Sequence, residues 1–260
     1  MTNNYNDLYH HSIHDAEAFW AKQAEQIVWD SPWQQVLDSS DAPFYRWYPG
    51  GTLNICYNAI DRHVDQGRGD QDALIWESPI TGQDRRYTYS DLQQRIAKLA
   101  GALQAMGVIA GDRVIIYMPM IPEAAMAMLA CARIGAIHSV VFGGFAAPEL
   151  AKRIDDATPR VVLSASCGVE PSGVIDYKSL LDQALTIATH KVEHCLILQR
   201  DIQPCDLTAP RDQDWEQACA AASPVACVPV DANHPLYILY TSGTTGLPKG
   251  AVLTYGNITW

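Results

Sequence analysis

Residues 241–250 read TSGTTGLPKG, a stretch that combines three glycines, four hydroxyl side chains and one lysine. Glycine lets backbone N–H groups approach an anion closely, and successive amides can form an anion-binding nest. Hydroxyl donors and a lysine ammonium add hydrogen bonds and positive charge. The composition therefore predicts a phosphate-binding loop, and its candidate contacts are Thr241, Ser242, Gly243, Thr244, Thr245, Gly246 and Lys249.

Three other interpretations of this stretch are weaker. A Walker A loop requires G-x-x-x-x-G-K-[ST], and Pro248 stands where its second glycine should be. The stretch also lacks G-x-G-x-x-G, which disfavours a nicotinamide cofactor. A flexible surface linker rarely places a lysine and a proline among glycines directly after an apolar run such as LYILY, residues 236–240.

The elements that must position this loop alternate between two kinds from residue 73 onward. Short runs rich in valine and isoleucine are separated by segments with helical spacing of apolar residues, which predicts βαβ units. The predicted strands lie in DRVIIYM, AIHSVVF, RVVLSAS, HCLILQ and PLYILYT. We therefore expect an α/β fold, a mostly parallel sheet flanked by helices, with an α-rich N-terminal extension. In such a sheet, ligands bind beyond the carboxyl ends of the strands.

Local signals give four finer predictions. Asp15 is expected to cap a helix over residues 15–29, and Ser90 one that ends at Gly107. ALIWE and RRYTY flank a Pro/Gly-containing connection and predict a hairpin. Residues 205–215, CDLTAPRDQDW, are expected to form a surface loop.

Composition excludes several classes of partner and site. The formal net charge of −11, without a Lys/Arg cluster, disfavours nucleic acid and membrane surfaces. The N-terminus lacks the pattern of a signal peptide. Seven cysteines contain no C-x-x-C pair, so we expect reduced thiols in a cytoplasmic protein rather than disulfides or a zinc site. The histidines at 10, 11 and 14 are interpreted as a solvated N-terminus, and His138 as structural rather than a catalytic base.

Several stretches of the sequence, including the predicted phosphate-binding loop, resemble one known family. YTSGTTGLPKG resembles the phosphate-binding signature of the adenylate-forming superfamily of acyl-CoA synthetases. GGTLNICYNAIDRHVD and the run from DRVIIYM to ATPRVV are similar to the short-chain members, the acetyl- and propionyl-CoA synthetases. GDQDALIWESPITG, SASCGVEP and PLYILYTSGTTG favour the propionyl type. AFWAKQAEQIVWDSPW resembles the extension of those enzymes, which implies an extension over 1–66 and a partial AMP-binding domain over 67–260.

The resemblance implies a two-step reaction. Propionate attacks the α-phosphorus of ATP with Mg²⁺ and releases pyrophosphate, and CoA then displaces AMP. The loop residues from Thr241 to Gly246, with Lys249, would hold the β- and γ-phosphates, with Thr244 and Thr245 as the closest hydroxyl contacts. Acetate is the alternative substrate. A non-catalytic nucleotide- or phosphate-binding fragment is the alternative from another class.

The resemblance also implies a CoA site formed by Phe142, Gly143 and Gly144 together with a loop that contains Gly173. The family usually supplies an arginine near residues 170–173 for the 3′-phosphate of CoA. Here these positions read Glu-Pro-Ser-Gly, and no basic residue occurs before Lys178. We therefore expect weaker CoA binding than in a typical relative, and tighter binding when a basic residue replaces Gly173.

The sequence identifies no catalytic residue. In the family, the adenylation lysine, the Mg²⁺-binding acid and the mobile C-terminal domain all follow the phosphate loop. We expect this chain alone not to catalyse acyl-CoA formation, and a missing C-terminal part to be its partner. Strand edges and apolar surface are then expected to be uncovered.

Overall fold

The computed structural model describes residues 5–241 and 248–258, and the side chain of Ile258 is not among the described groups. The helices are α1 (Tyr5–His14), α2 (Ala16–Ala24), α3 (Tyr89–Ala105), α4 (Pro122–Arg133), α5 (Ala147–Ala157), α6 (Tyr177–Ile187), α7 (Trp215–Ala221) and α8 (Tyr255–Ile258). Two π-helical segments cover Tyr57–Asp61 and Val64–Arg68. Among the described residues, no helix is both long enough and apolar enough to cross a membrane.

Within residues 5–241 and 248–258, fifteen strands accompany these helices. They are β1 (Leu37–Asp38), β2 (Arg46–Trp47), β3 (Thr52–Leu53), β4 (Asp72–Ser78), β5 (Gln83–Thr88), β6 (Arg113–Tyr117), β7 (Ile137–Val140), β8 (Val161–Ala165), β9 (Cys167–Glu170), β10 (Gly173–Asp176), β11 (His194–Leu198), β12 (Asp212–Asp214), β13 (Val230–Asp231), β14 (Pro235–Thr241) and β15 (Lys249–Thr254).

Seven strands form the main sheet, in the order β12-β11-β8-β6-β7-β14-β15. Every neighbouring pair is parallel except β14 and β15, which are antiparallel. Alternate residues of β6 enter two cores: Val114 and Ile116 pack with α3 and α4, whereas Ile115 and Tyr117 pack with α5 and α6. Both faces are covered, as continuous apolar runs require. The predicted α/β fold with a mostly parallel, helix-flanked sheet is confirmed.

Aromatic stacking and a hydrogen bond join segments within the N-terminal extension, and a buried ion pair fastens the extension to the core. The ring centroids of Trp29 and Trp33 lie 4.9 Å apart, and Tyr48 donates a hydrogen bond to the carbonyl oxygen of Trp20 at 3.1 Å. Farther along, Arg133 of α4 forms a buried ion pair with Asp61, with Nη1 to Oδ2 at 2.8 Å. The division at residues 66 and 67 remains a prediction.

Three local predictions differ from the structure, and a fourth is confirmed. The cap of α3 is Thr88 rather than Ser90, because Thr88 Oγ1 accepts from the amide of Asp91 while the Asp91 carboxylate accepts from the amide of Thr88. The helix expected over 15–29 ends at Ala24, and Asp15 makes no side-chain cap bond. Residues 205–215 contain strand β12, which pairs in parallel with β11. The predicted hairpin is the antiparallel pair β4 and β5.

Candidate functional site

The candidate phosphate loop is carried by the antiparallel hairpin of β14 and β15. Thr241 lies opposite Lys249 in the strand register, and its Oγ1 donates to the carbonyl oxygen of Lys249 at 3.5 Å. Both residues are exposed. The hairpin therefore holds the two ends of the loop side by side at the carboxyl end of β14. The other predicted contacts, Ser242, Gly243, Thr244, Thr245 and Gly246, lie outside the described residues.

The predicted CoA loop leaves the sheet beside this hairpin. Strand β7 runs parallel to β14, with His138 opposite Tyr237, so both strands end at the same edge. The chain then continues from β7 into Phe142, whose side chain is 66% exposed. Two segments that the sequence separates by about a hundred residues thus emerge from adjacent strands.

A tyrosine at the start of α6 brings the CoA loop and the β9–β10 hairpin together. A Cβ built on Gly143 would lie 1.6 Å from the hydroxyl oxygen of Tyr177, and one on Gly168 would lie 2.4 Å from its ring. Tyr117 packs on Tyr177 with ring centroids 4.9 Å apart, and its hydroxyl donates to the carbonyl oxygen of Phe145 at 3.0 Å. Burial raises the pKa of Tyr177 to about 12, so its hydroxyl stays protonated at neutral pH.

The remaining predicted CoA residues differ in their surroundings. A Cβ on Gly144 would lie 2.7 Å from the ring of Phe142, which folds back over this position. Gly173 lies next to the turn of the β9–β10 hairpin, opposite Glu170, and is exposed with φ of +132°. No atom lies within 4 Å of its built Cβ. Gly143 and Gly144 thus lie in close contact with the rings of Tyr177 and Phe142, whereas Gly173 lies at the open tip of a hairpin.

The first lysine after the hairpin does not supply a free positive charge. Lys178 is buried and pairs with Asp182 and, at 3.1 Å, with Asp212. Burial alone would lower the pKa of Lys178, but the hydrogen bonds to these two carboxylates raise it above its ordinary value. Lys178 therefore joins α6 to β12, and its positive charge does not replace that of the arginine missing at residues 170–173.

The arginine that reaches this hairpin was not identified from the sequence. Arg200 follows β11, and its Nη1 donates to the carbonyl oxygen of Cys167, the first residue of β9, at 3.2 Å. It also lines a cavity of about 200 Å³ together with Arg85 and Glu123. The spacing of 27 positions from Gly173 gives no signal for this proximity, which arises because β8 and β11 are neighbouring parallel strands.

A second arginine connects the two candidate loops. Arg153 of α5 is buried, and its guanidinium carbon lies 4.4 Å from the ring centroid of Phe145 and 5.4 Å from that of Tyr240. Phe145 follows the CoA loop, and Tyr240 immediately precedes Thr241. The hydroxyl of Tyr240 donates to Asp156 of the same helix at 2.6 Å. One helix thus positions both loops through cation–π contacts and a hydrogen bond.

His138 lies in the sheet beneath these loops and is buried. Its ring packs against Tyr237 with centroids 5.6 Å apart, and its Nδ1 atom has no hydrogen-bond partner within the described part of the chain. Burial lowers the pKa of His138 to about 4, so the ring is neutral at pH 7. These contacts agree with a structural role.

Comparisons with known proteins identify the family. The family description "AMP-binding enzyme" matches residues 60–260, and "Acetyl-coenzyme A synthetase N-terminus" matches residues 5–59. The mitochondrial acyl-CoA synthetase short-chain family member 3 of Homo sapiens is 50% identical over 246 residues, which cover 94% of this chain and 36% of the relative. An acetyl-coenzyme A synthetase of Mycobacterium tuberculosis is 46% identical over 96% of this chain and 39% of the relative.

A solved structure has the same fold. Acetoacetyl-CoA synthetase from Streptomyces lividans superimposes with a TM-score of 0.88 at 28% sequence identity, and the match covers 98% of this chain and 39% of that one. The chain thus spans well under half the length of the relatives it matches. With a family match that covers most of its residues, the chain belongs to the AMP-binding enzymes, and its relatives there are short-chain acyl-CoA synthetases.

Proposed function

We propose that this chain supplies the ATP-phosphate and CoA contacts of an AMP-forming short-chain acyl-CoA synthetase that activates propionate. One observation carries the proposal: the hairpin of the candidate phosphate loop and the glycine-containing CoA loop leave the same edge of the sheet from adjacent strands. A reaction in which CoA displaces AMP from an acyl-adenylate needs its two ligands side by side. The family membership supports the same reaction class.

The chemistry of the first step is the release of pyrophosphate. Negative charge grows on the bridging oxygen as the carboxylate attacks the α-phosphorus, and preorganised donors stabilise that charge. In this chain Thr241 offers a hydroxyl and Lys249 an ammonium, and the intervening loop offers the hydroxyls of Thr244 and Thr245. At the described ends of the loop these donors suit phosphate rather than Mg²⁺, so we assign no step to the metal.

ATP binding tests the phosphate loop directly. We expect Lys249→Ala to weaken ATP binding about tenfold or more, because a charge-assisted hydrogen bond contributes roughly 1.5–3 kcal/mol. Lys22→Ala, on the exposed face of α2, is the control and should leave the affinity unchanged. Isothermal titration calorimetry of both variants gives the comparison. Equal ATP affinity in the wild type and Lys249→Ala would refute the assignment of the loop.

The carboxylate is tested by ATP–pyrophosphate exchange. Propionate is favoured by the motifs around residues 69–82 and 164–171, whereas acetate remains the alternative. Exchange should be measured in this chain and in the same chain fused to the C-terminal portion of a short-chain acyl-CoA synthetase. We expect exchange in the fusion only, with a higher kcat/KM for propionate. A preference for acetate would reassign the substrate, and a fusion that binds ATP without exchange would favour a non-catalytic binding protein.

A further inference from the structure

Two cysteines and an aspartate that are far apart in the sequence meet where the N-terminal extension contacts the core. The Sγ atoms of Cys56 and Cys227 and a carboxylate oxygen of Asp61 all lie within 4.8 Å of one another. Cys227 Sγ donates to Asp61 Oδ2 at 3.7 Å. Cys56 is fully buried, and Cys227 is partly exposed. We refer to these three residues as the thiol–carboxylate cluster.

The spacing of the cluster suits a tetrahedral ion. Bonds of about 2.3 Å to sulfur and about 2.0 Å to oxygen place the donor atoms of a tetrahedral Zn²⁺ site about 3.5–3.8 Å apart. The 3.7 Å between Cys227 Sγ and Asp61 Oδ2 lies within that range. An ion would therefore replace the thiol proton that now lies between these two atoms. The Cys56 sulfur lies within 4.8 Å of both donor atoms and would move by up to about 1 Å to complete the site.

The carboxylate is already oriented by its neighbours. Gln93 Nε2 donates to Asp61 Oδ1 at 3.0 Å, and Arg133 donates to both carboxylate oxygens, at 2.8 and 3.0 Å. Hydrogen-bonded ligands of this kind are typical of metal sites, where the outer contacts fix the ligating atom. Each carboxylate oxygen carries two acceptor sites, and both sites of Oδ1 are occupied. An ion would therefore bind Oδ2 at the site that now accepts from Cys227.

Arg133 also balances the charge of an occupied site. Its Nη1 lies 3.6 Å from Cys56 Sγ, within the hydrogen-bond limit for sulfur. Two thiolates and one carboxylate carry three negative charges, and a divalent cation with one guanidinium carries three positive charges. The buried group is neutral with the ion bound, which removes the large cost of an uncompensated buried charge.

The cluster is accessible from a cavity. A space of about 430 Å³ is lined by Asp61, Arg133 and Cys227 together with Asn54 and Tyr57. It gives an ion a route to the partly exposed Cys227, and it has room for water at the fourth coordination position.

We propose that Cys56, Asp61 and Cys227 form a binding site for a thiophilic divalent cation of the Zn²⁺ class, which fastens the N-terminal extension to the core. Thiolate and carboxylate donors together select such an ion over the hard cations Mg²⁺ and Ca²⁺. This inference does not depend on the proposed enzymatic function, because none of its ligands belongs to the phosphate or CoA loops.

Cobalt substitution tests the site. Reduced, chelator-treated protein is titrated with Co²⁺, and absorption from thiolate-to-cobalt charge transfer reports sulfur ligation. We expect one equivalent to bind with this absorption, and Zn²⁺ to displace it. Cys227→Ser should weaken Co²⁺ binding about tenfold or more, as should Cys56→Ser. The matched control is Cys219→Ser, a partly exposed cysteine outside the cluster, which should bind like the wild type.

Two further measurements keep the test decisive. Zn²⁺ should raise the Tm of the wild type and of Cys219→Ser but not that of Cys227→Ser, which is nearly isosteric and expected to fold. Charge-transfer absorption that survives in Cys227→Ser would overturn the proposal. So would fully reduced wild-type protein that binds no Co²⁺ and instead forms a Cys56–Cys227 disulfide on oxidation, since the pair would then act as a redox couple.

Discussion

The backbone conformation of each residue at the candidate CoA site determines where a basic side chain can be introduced to test CoA binding. A basic residue was expected to strengthen CoA binding when placed at Gly173. The φ of +132° at this position disfavours any side chain, so the strain of Gly173→Arg would obscure its electrostatic gain. Ser172 is adjacent and exposed, and no positive φ occurs there. It is therefore the better position for the charge.

Ser172→Arg should tighten CoA binding about fivefold, since a partly solvated ion pair contributes up to about 1 kcal/mol. Ser172→Gln is the control for size without charge and should have no such effect. Titration with CoA and with dephospho-CoA separates the cause, because only the 3′-phosphate distinguishes these ligands. An equal gain for both ligands, or no gain for CoA, would contradict the expected contact of the CoA 3′-phosphate with the loop at residues 170–173.

His138 gives a pH-dependent contribution to stability. Its pKa is about 4 in the folded protein and near 6.5 when unfolded, so between these values only the unfolded chain binds the proton. Stability is therefore complete above about pH 6.5 and is lost as the pH falls toward 4. Between about pH 7.5 and about pH 5 the loss from this residue is about 2 kcal/mol.

The variant His138→Phe keeps an aromatic ring against Tyr237 and removes the titrating group. Its free energy of unfolding in urea should fall about 2 kcal/mol less than that of the wild type when the pH is lowered from about 7.5 to about 5. Comparison of the two proteins at the higher pH corrects for packing changes. Parallel pH profiles would show that His138 does not titrate as a buried group.

At the scale of elements, helix α5 connects the two candidate loops through Arg153. The cation–π contacts with Phe145 and Tyr240 predict that loss of the guanidinium relaxes both loops at once. Arg153→Met retains much of the aliphatic packing, and we expect several-fold weaker binding of both ATP and CoA. Lys152→Met on the exposed side of the same helix is the control. Calorimetry that finds only one affinity changed would contradict this positioning role.

The strands differ in how well the sequence predicts them. Continuous apolar runs such as those of β6 and β8 predict buried parallel strands because both faces are covered. Strand β12 was missed because its residues, Asp212–Asp214, are polar and owe their place to ion pairs of Asp212 with Lys178 and Arg211. The pair with Lys178 joins residues that lie far apart along the chain, and local patterns do not report it.

The same limit applies to the sites. The glycine and hydroxyl composition of residues 241–250 is a local signal, and so is the glycine pair after β7. Arg153, Arg200 and the thiol–carboxylate cluster carry no such signal, because their partners come from other strands and helices. Cys56 and Cys227 in particular become neighbours only once the extension has packed on the core.

At the scale of the whole molecule, the hairpin side of the main sheet is less covered than its centre. Leu239 and Val252 are 49% and 56% exposed, and among the described strands β15 is the outermost on this side of the sheet. An edge strand with exposed apolar side chains promotes self-association. We expect sedimentation velocity to detect reversible oligomers whose fraction rises with concentration.

Val252→Lys places a charge on this edge strand and should lower the oligomer fraction, because repeated like charges oppose edge-to-edge pairing. Ile75→Lys is the control, since Ile75 is also an exposed strand residue but lies in the separate β4–β5 hairpin. A compact monomer at every concentration tested, or equal oligomer fractions in the two variants, would contradict self-association through this edge.

The buried ion pair between Arg133 and Asp61 has a consequence for anyone who trims the protein. Arg133 also donates through Nε to the carbonyl oxygen of Val225 at 2.6 Å. Its guanidinium therefore links α4 to the segments that contain Asp61 and Val225. Loss of the Asp61 carboxylate alone would leave this buried guanidinium unpaired, at a cost of roughly 3–5 kcal/mol. Removing everything before residue 67 would also uncover the surface of α4 on which the pair lies. The segment before residue 67 is therefore part of the packed fold, and shortened forms should begin well upstream of Asp61.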